Sequence, residues 1–163
     1  MNRAVFLDRD GVINEERKDY VKTIKEFQIF DDVPKAIKQL KELGFKVIVI
    51  TNQSAVNRGI ITIETLNEIH VKLQEILKEN DTSIDKFYFC PHRPDENCKC
   101  RKPNPEMLIK ASQEYNIDMK NSFMIGDSLT DIQAAHKAGC KGILLGKNQT
   151  LLQLVNSMVD DLS

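Results

Sequence analysis

Short apolar runs and amphipathic helical patterns take turns along this chain, and that alternation leaves few folds open. The run Lys46-Val-Ile-Val-Ile50 is almost continuously apolar and β-branched, as a strand buried on both faces requires. Similar runs stand at Ala4 to Leu7, Lys86 to Cys90, Ser122 to Ile125 and Gly142 to Leu145. Between them the spacing predicts helices over Asp32 to Leu43, Ile63 to Glu79, Asn104 to Asn116, Thr130 to Ala138 and Gln149 to Val159. In the first, Val33, Ala36, Ile37, Leu40 and Leu43 share one face, with Pro34 in the first turn and Gly44 at the stop. In the second, capped by Thr62, the stripe is Leu66, Ile69, Leu73, Ile76 and Leu77, which leaves His70 at the surface or boundary. Asn104 is placed to cap the third, with Pro105 at its first position. Strands alternating with helices imply right-handed βαβ units. The fold class is therefore α/β: a three-layer, Rossmann-like parallel sheet of about five strands with helices on both faces. No repeat or composition break divides the chain, so residues 1–163 are read as one domain.

Composition narrows the partners. Lys and Arg total 23 against 24 Asp and Glu, a net charge of -1, which argues against a general binder of nucleic acid or membrane surfaces. No run approaches the ~18 apolar residues of a membrane span, and the N-terminus lacks a signal-peptide pattern. The expectation is a cytoplasmic monomer that acts on a small molecule, with no nucleic-acid or membrane partner.

Two strands end in acids. Ala4-Val-Phe-Leu-Asp8-Arg-Asp10-Gly11 places two carboxylates directly after a buried run, and Ser122-Phe-Met-Ile-Gly126-Asp127-Ser-Leu-Thr-Asp131 does the same. Asp10-Gly11 could instead be a hairpin turn, but only Val12-Ile13 follows before a polar stretch. In a parallel sheet the carboxyl ends of the strands form the ligand-binding edge. If the two strands are neighbours, Asp8, Asp10, Asp127 and Asp131 converge. Such a cluster calls for a cation, and Mg²⁺ suits a few carboxylates, several waters and a substrate phosphate. Asp131 also stands where a helix N-terminus would favour it. Thr51-Asn52-Gln53-Ser54 ends the second strand with groups suited to phosphate oxygens, or to capping a turn. Arg101-Lys102 supplies positive charge beside prolines that restrict the backbone. Together these elements suit phosphoryl transfer: a carboxylate attacks phosphorus, a cation and a lysine hold the charge, and a second carboxyl moves protons.

Asp8-x-Asp10-Gly11, Thr51-Asn52, Lys102 and Gly126-Asp127-x3-Asp131 resemble the four ordered motifs of the haloacid dehalogenase-like phosphatases. The resemblance implies Asp8 as nucleophile, forming an aspartyl-phosphate, and Asp10 as general acid and base. It implies that Thr51 and Lys102 stabilise the phosphoryl group. Mg²⁺ would sit on the carboxylates of Asp8 and Asp127 and the backbone carbonyl of Asp10, with Asp131 in support. Leu7-Asp-Arg-Asp-Gly-Val-Ile-Asn14, Thr51-Asn-Gln-Ser54 with Arg58-Gly59, and Cys98-Lys-Cys-Arg-Lys-Pro103 are similar to the group holding the heptose 1,7-bisphosphate and histidinol-phosphate phosphatases. That likeness implies substrate contacts from Asn52, Gln53, Ser54, Arg58 and Arg101, and from the loop near Lys18–Val21. A sugar bisphosphate is the implied substrate, with histidinol phosphate the alternative and a zinc-stapled binding module the non-enzymatic one. Ser128 and Asp19-Tyr-Val-Lys22 depart from that group, which often has Lys and Gly-Tyr-Val-His there.

Cys90-x-His92-x5-Cys98-x-Cys100 offers three thiolates and one imidazole within a proline-rich loop, residues 90–103. That donor set makes a closed structural zinc site, with buried free cysteines as the other reading. Zn²⁺ would then hold Arg101 and Lys102 in place. Cys140 reads as a small buried residue. The segments Glu15 to Phe30 and Ala55 to Asn80 hold no room for a separate cap, so the site is expected to be uncapped. Arg17, Lys18, Lys22, Arg58, Arg93 and Arg101 could then form a cationic rim for a second phosphate.

Overall fold

The computed structural model describes residues 1–162. Five parallel strands form one sheet: β1 (Ala4–Leu7), β2 (Lys46–Asn52), β3 (Lys86–Cys90), β4 (Phe123–Gly126) and β5 (Lys141–Leu144). Their order is β3-β2-β1-β4-β5, so β1 is central and pairs with β2 on one side and β4 on the other. The helices are α1 (Val33–Glu42), α2 (Ile63–Glu79), α3 (Glu106–Tyr115), α4 (Leu129–Ala138) and α5 (Leu151–Leu162), with short 3₁₀ turns at Pro94–Glu96 and Met119–Asn121.

The period-two alternation of the strands divides the core into two layers. Val5 and Leu7 of β1, with Val47 and Val49 of β2, pack against residues from α1, α2 and α5. Ala4, Phe6, Ile48 and Ile50 point the other way, against α3 and α4. Every residue of β1 is buried, which explains the continuous apolar runs. The segments between β1 and β2 and between β2 and β3 carry only loops, α1 and α2, as expected of an uncapped sheet. No helix among the described residues is long and apolar enough to cross a membrane.

Several boundaries differ from those the sequence predicts. Thr51 and Asn52 belong to β2 rather than to a following turn, because they continue the ladder with Phe89 and Cys90 of β3. Asn104 does not cap α3. Pro105 occupies the N-cap, and the Asn104 amide instead donates to the Cys98 carbonyl at 3.1 Å. Asp10-Gly11 turns the chain but opens no hairpin, since β1 pairs only with parallel partners. His70 is buried. It lies four residues after Leu66 and three before Leu73, so it sits on the buried stripe, while Ile76 is partly exposed.

Candidate active site

The strand order reverses at β1, between β2 and β4, which is where open α/β sheets bind ligands. A cavity of about 550 Å³ opens there, lined among others by Asp8, Asp10, Asn52, Lys102, Asp127 and Asp131. Residues scattered through the sequence meet because β1, β2 and β4 are adjacent and end at the same edge.

Asp8 continues β1, its backbone N–H donating to the Ile125 carbonyl of β4 at 3.1 Å. Its Oδ1 accepts from the Arg9 backbone N–H at 2.8 Å and lies 3.1 Å from Lys102 Nζ. Burial raises this carboxyl to a pKa of about 7 against the opposing pull of Lys102, with Asp131 and Asp10 adding to the rise. Lys102 is buried as well, and its Nζ donates to Asp131 Oδ1 at 2.6 Å and to the Ile50 carbonyl at 2.8 Å. Burial works to discharge this amine, but Asp8 and Asp131 outweigh it and hold the pKa above the usual lysine value.

Asp131 joins two tasks. It completes a capping box with Ser128 at the start of α4, its Oδ2 accepting from the Ser128 N–H and hydroxyl at 3.3 and 3.2 Å. Its other oxygen is held by Lys102. Asp127 is exposed at the cavity mouth, and its carboxyl is raised by burial of its surroundings and by Asp131. Ligand oxygens of Asp8, Asp127 and Asp131 lie within 4.8 Å of one another, against the single ammonium of Lys102. Two glycines make this crowding possible. A Cβ at Gly126 would collide with the Asp131 carboxylate, and one at Gly11, where φ is +88°, would collide with Asp127.

Asp10 lies in a different field. Its Oδ1 accepts from Arg9 Nη2 at 2.8 Å, Arg9 Nε at 3.3 Å and Asn14 Nδ2 at 2.9 Å, and its Oδ2 accepts from Gln53 Nε2 at 2.8 Å. Burial pushes its pKa up, but Arg9 and these hydrogen bonds prevail and hold it below the ordinary carboxylate value. These two aspartates thus have opposite acidities: at Asp8 burial, with Asp131 and Asp10 added, outweighs Lys102, whereas at Asp10 the Arg9 guanidinium and the hydrogen bonds outweigh burial.

The residues of the second strand end divide. Gln53 donates one amide hydrogen to Asp10 and the other to Thr51 Oγ1, at 2.8 and 3.0 Å. Asn52 clasps Lys102, accepting from its backbone N–H at 3.1 Å and donating to its carbonyl at 3.2 Å. Both line the cavity, yet their amides orient Asp10, Thr51 and Lys102. Ser54 accepts from Arg58 Nε at 3.3 Å, and Arg58 lies over the Tyr20 ring. Arg101 donates to the His92 carbonyl at 3.3 Å and lines the cavity.

The cationic rim is smaller than the sequence predicts. Arg17 and Lys22 are each paired with Asp19 and Glu26, and Arg93 with Asp95 and Glu96. Lys18, Arg58 and Arg101 line the cavity and have no carboxylate partner among the described residues. The sequence reading also missed four residues. Arg9 and Asn14 are fully buried against Asp10, His70 meets Arg9, and Glu16 lines the cavity with its carboxyl raised by burial, Asp127 and Asp10. An arginine between two acids directly after a buried strand was the available signal for the first of these.

Cys90, His92, Cys98 and Cys100 converge below Arg101, their ligand atoms within 4.8 Å of one another. Cys100 Sγ is 2.9 Å from Cys90 Sγ and 3.8 Å from Cys98 Sγ, and His92 presents Nδ1 at 3.2 and 3.3 Å from Cys100 and Cys90. A tetrahedron with zinc–sulfur bonds of ~2.3 Å has sulfur–sulfur edges of ~3.7 Å, so a small expansion of this cluster accommodates the ion. Cys140 is buried, as expected, and is not one of the four converging donors.

Sheet order, cavity position and paired acids define a haloacid dehalogenase-like site, and comparison with known proteins agrees. The model of the haloacid dehalogenase-like hydrolases matches residues 2–139, and the chain belongs to that family. Among curated relatives, the D-glycero-beta-D-manno-heptose-1,7-bisphosphate 7-phosphatase of Helicobacter pylori (strain J99) is 43% identical over 145 residues, 88% of this chain and 83% of the relative. The protein of the same name from Yersinia pestis is 44% identical over 139 residues, 81% of this chain and 73% of the relative. Among solved structures, the D,D-heptose 1,7-bisphosphate phosphatase of B. bronchiseptica, complexed with magnesium and phosphate, superposes with a TM-score of 0.91 at 32% identity. That match covers 98% of this chain and 99% of the other.

Proposed function

We propose that this chain is a Mg²⁺-dependent phosphatase that removes the C7 phosphate of D-glycero-D-manno-heptose 1,7-bisphosphate through an aspartyl-phosphate on Asp8. The observation that carries the reading is the meeting of Asp8, Asp10, Lys102 and Asp127 at one cavity, with the buried Thr51 hydrogen-bonded to the lining residue Gln53. The substrate assignment draws on the relatives of that name.

The donor set fits the metal. Asp8 and Asp127 with the backbone carbonyl of Asp10 would hold Mg²⁺, and the excess of carboxylate over cation in the cluster is what a divalent ion corrects. When bound, Mg²⁺ neutralises phosphoryl oxygens and keeps Asp8 ionised. Asp131 belongs outside that shell, since Lys102 and Ser128 already occupy its oxygens.

An Asp8 carboxylate oxygen bonds to phosphorus as the ester P–O bond breaks; Asp10, which Arg9 and its hydrogen bonds hold ionised in the free site, first takes up a proton from solvent and gives that proton to the departing alkoxide. Asp10, now ionised, takes a proton from water as the water oxygen bonds to phosphorus, which releases phosphate and regenerates Asp8. Lys102 and the Thr51 hydroxyl stabilise the transferring group. Thr51 Oγ1 accepts from Gln53 at 3.0 Å and donates to the Asn52 carbonyl at 3.5 Å, a long bond that a phosphoryl oxygen would replace. Lys18, Arg58 and Arg101 are the cations available to a second phosphate. We assign Cys90, His92, Cys98 and Cys100 to a structural Zn²⁺, because four protein donors leave no open position.

A phosphate-release screen tests the assignment. With Mg²⁺, heptose 1,7-bisphosphate should exceed fructose 1,6-bisphosphate and histidinol phosphate in kcat/KM. Preference for histidinol phosphate would change the substrate, and silence on every ester would leave a zinc-stapled binding module.

A further inference from the structure

His70 takes no part in the chemistry above, yet it is buried, polar and joined to the site. Its ring lies flat on Phe87, with centroids 4.4 Å apart and planes 12° apart. Its Nε2 is 3.3 Å from Arg9 Nη1. A guanidinium can only donate, so Nε2 is the unprotonated nitrogen and the proton sits on Nδ1. Burial first, and the charge of Arg9 second, push the imidazole pKa down to about 3, which keeps the acceptor available at neutral pH.

Arg9 is 1% exposed. Its Nε and Nη2 grip Asp10 Oδ1, its Nη1 meets His70, and its plane lies near the Phe27 ring. With Asn14 added, Asp10 Oδ1 receives three N–H groups while Oδ2 receives one, from Gln53. Proton transfer at Oδ1 would break that array, so Oδ2 is the oxygen suited to it. The arrangement depends on the guanidinium keeping its rotation. Without an acceptor at Nη1, a buried N–H loses its partner and the fork is free to turn from Asp10.

We propose that His70 is a positioning residue for the acid–base carboxyl of Asp10: by accepting from Arg9 Nη1 it fixes the guanidinium that holds Oδ1 and so presents Oδ2 to the leaving oxygen. This rests on the phosphatase reading and on Asp10 as its general acid.

The test uses leaving groups that differ in their need for a proton. An alkyl phosphate loses its alkoxide with help from an acid, whereas p-nitrophenyl phosphate releases a stable phenolate without it. The value of kcat/KM reports only steps through the first P–O cleavage, so the later deprotonation of water does not enter. The alkyl probe is whichever of heptose 1,7-bisphosphate and fructose 1,6-bisphosphate the unaltered protein cleaves faster. His70→Phe keeps the ring on Phe87 and removes the acceptor; His70→Gln restores an acceptor without the ring. His70→Phe should lower kcat/KM for the alkyl ester about tenfold and for the aryl ester less than about twofold, and His70→Gln should return the ratio most of the way. Both ratios come from one preparation, so partial unfolding cancels. An unchanged ratio in His70→Phe, with or without a common loss, would make His70 a packing residue and overturn the inference. An unaltered protein inert to all of these esters would instead remove the phosphatase reading, and this inference with it.

Discussion

The carboxylate pocket and the Cys–His loop are two donor clusters about one loop residue apart, and they are held in opposite ways. Asp8, Thr51 and Asp127 stand at or just beyond the ends of β1, β2 and β4, and Asp131 in the first turn of α4, so the sheet ladder and a helix cap fix them before any ligand arrives. Cys90 ends β3, but the loop after it, Pro91 to Pro103, contains only a 3₁₀ turn, and its convergence on Cys90 rests on side chains. Lys102 connects the two, since it belongs to the loop in sequence and to the pocket in space. The pocket can therefore keep its acids and still lose function if the loop loosens. Asn52 is the counterweight, because it ties the Lys102 backbone to β2.

The sharpest break of the pocket alone is Asp8→Asn. Turnover should fall by at least about 10⁴-fold with the circular dichroism spectrum unchanged, and ordinary steady-state rates in that variant would remove Asp8 as nucleophile. Lys102→Met strikes both regions. It leaves the Asp8 and Asp131 carboxylates facing each other, so activity should fall about 10²–10³-fold. Stability by urea titration should drop by about 3 kcal/mol at neutral pH; a stable variant would mean that the ion pairs are dispensable to the fold.

Removing the zinc proposed for the loop would separate the regions. Stripping the protein with a thiol-selective mercurial and a chelator, then restoring Mg²⁺, should release about one zinc per chain. It should lower kcat about tenfold while the Mg²⁺ activation constant stays the same. A shifted Mg²⁺ constant would show that the loop shapes the acids as well as Lys102. The smallest effect is a pH slope. His70 is held to about 3 in the fold against 6.5 unfolded, so between those values the unfolded chain binds the extra proton and stability falls as pH falls. His70→Gln should flatten the unfolding curve by up to about 1.4 kcal/mol per pH unit in that window, and equal slopes in the two proteins would contradict the buried neutral ring.

Much of this was legible in residue order. The buried strands announced themselves by β-branched runs, Thr62 by its place before an amphipathic helix, and the four zinc candidates by crowding in one loop. Arg17, Lys22 and Arg93 were not legible as paired cations, because a charge in sequence looks alike whether it meets solvent, substrate or a carboxylate. Asn52 and Gln53 looked like phosphate donors, and which group their amides would face was decided by β2 running on through Asn52. His70 was misjudged by choosing one of two overlapping helical stripes.

The sequence by itself determined the element order, the acids at strand ends and the donor types of both clusters, since periodicity and side-chain chemistry are local properties. Only the tertiary structure decided that Asp8 would be raised and Asp10 lowered in acidity. Burial raises both carboxyls, and the difference comes from what folding sets against it: Lys102 offsets it only in part at Asp8, where Asp131 and Asp10 add to the rise, whereas Arg9, Asn14 and Gln53 close around Asp10 and outweigh it.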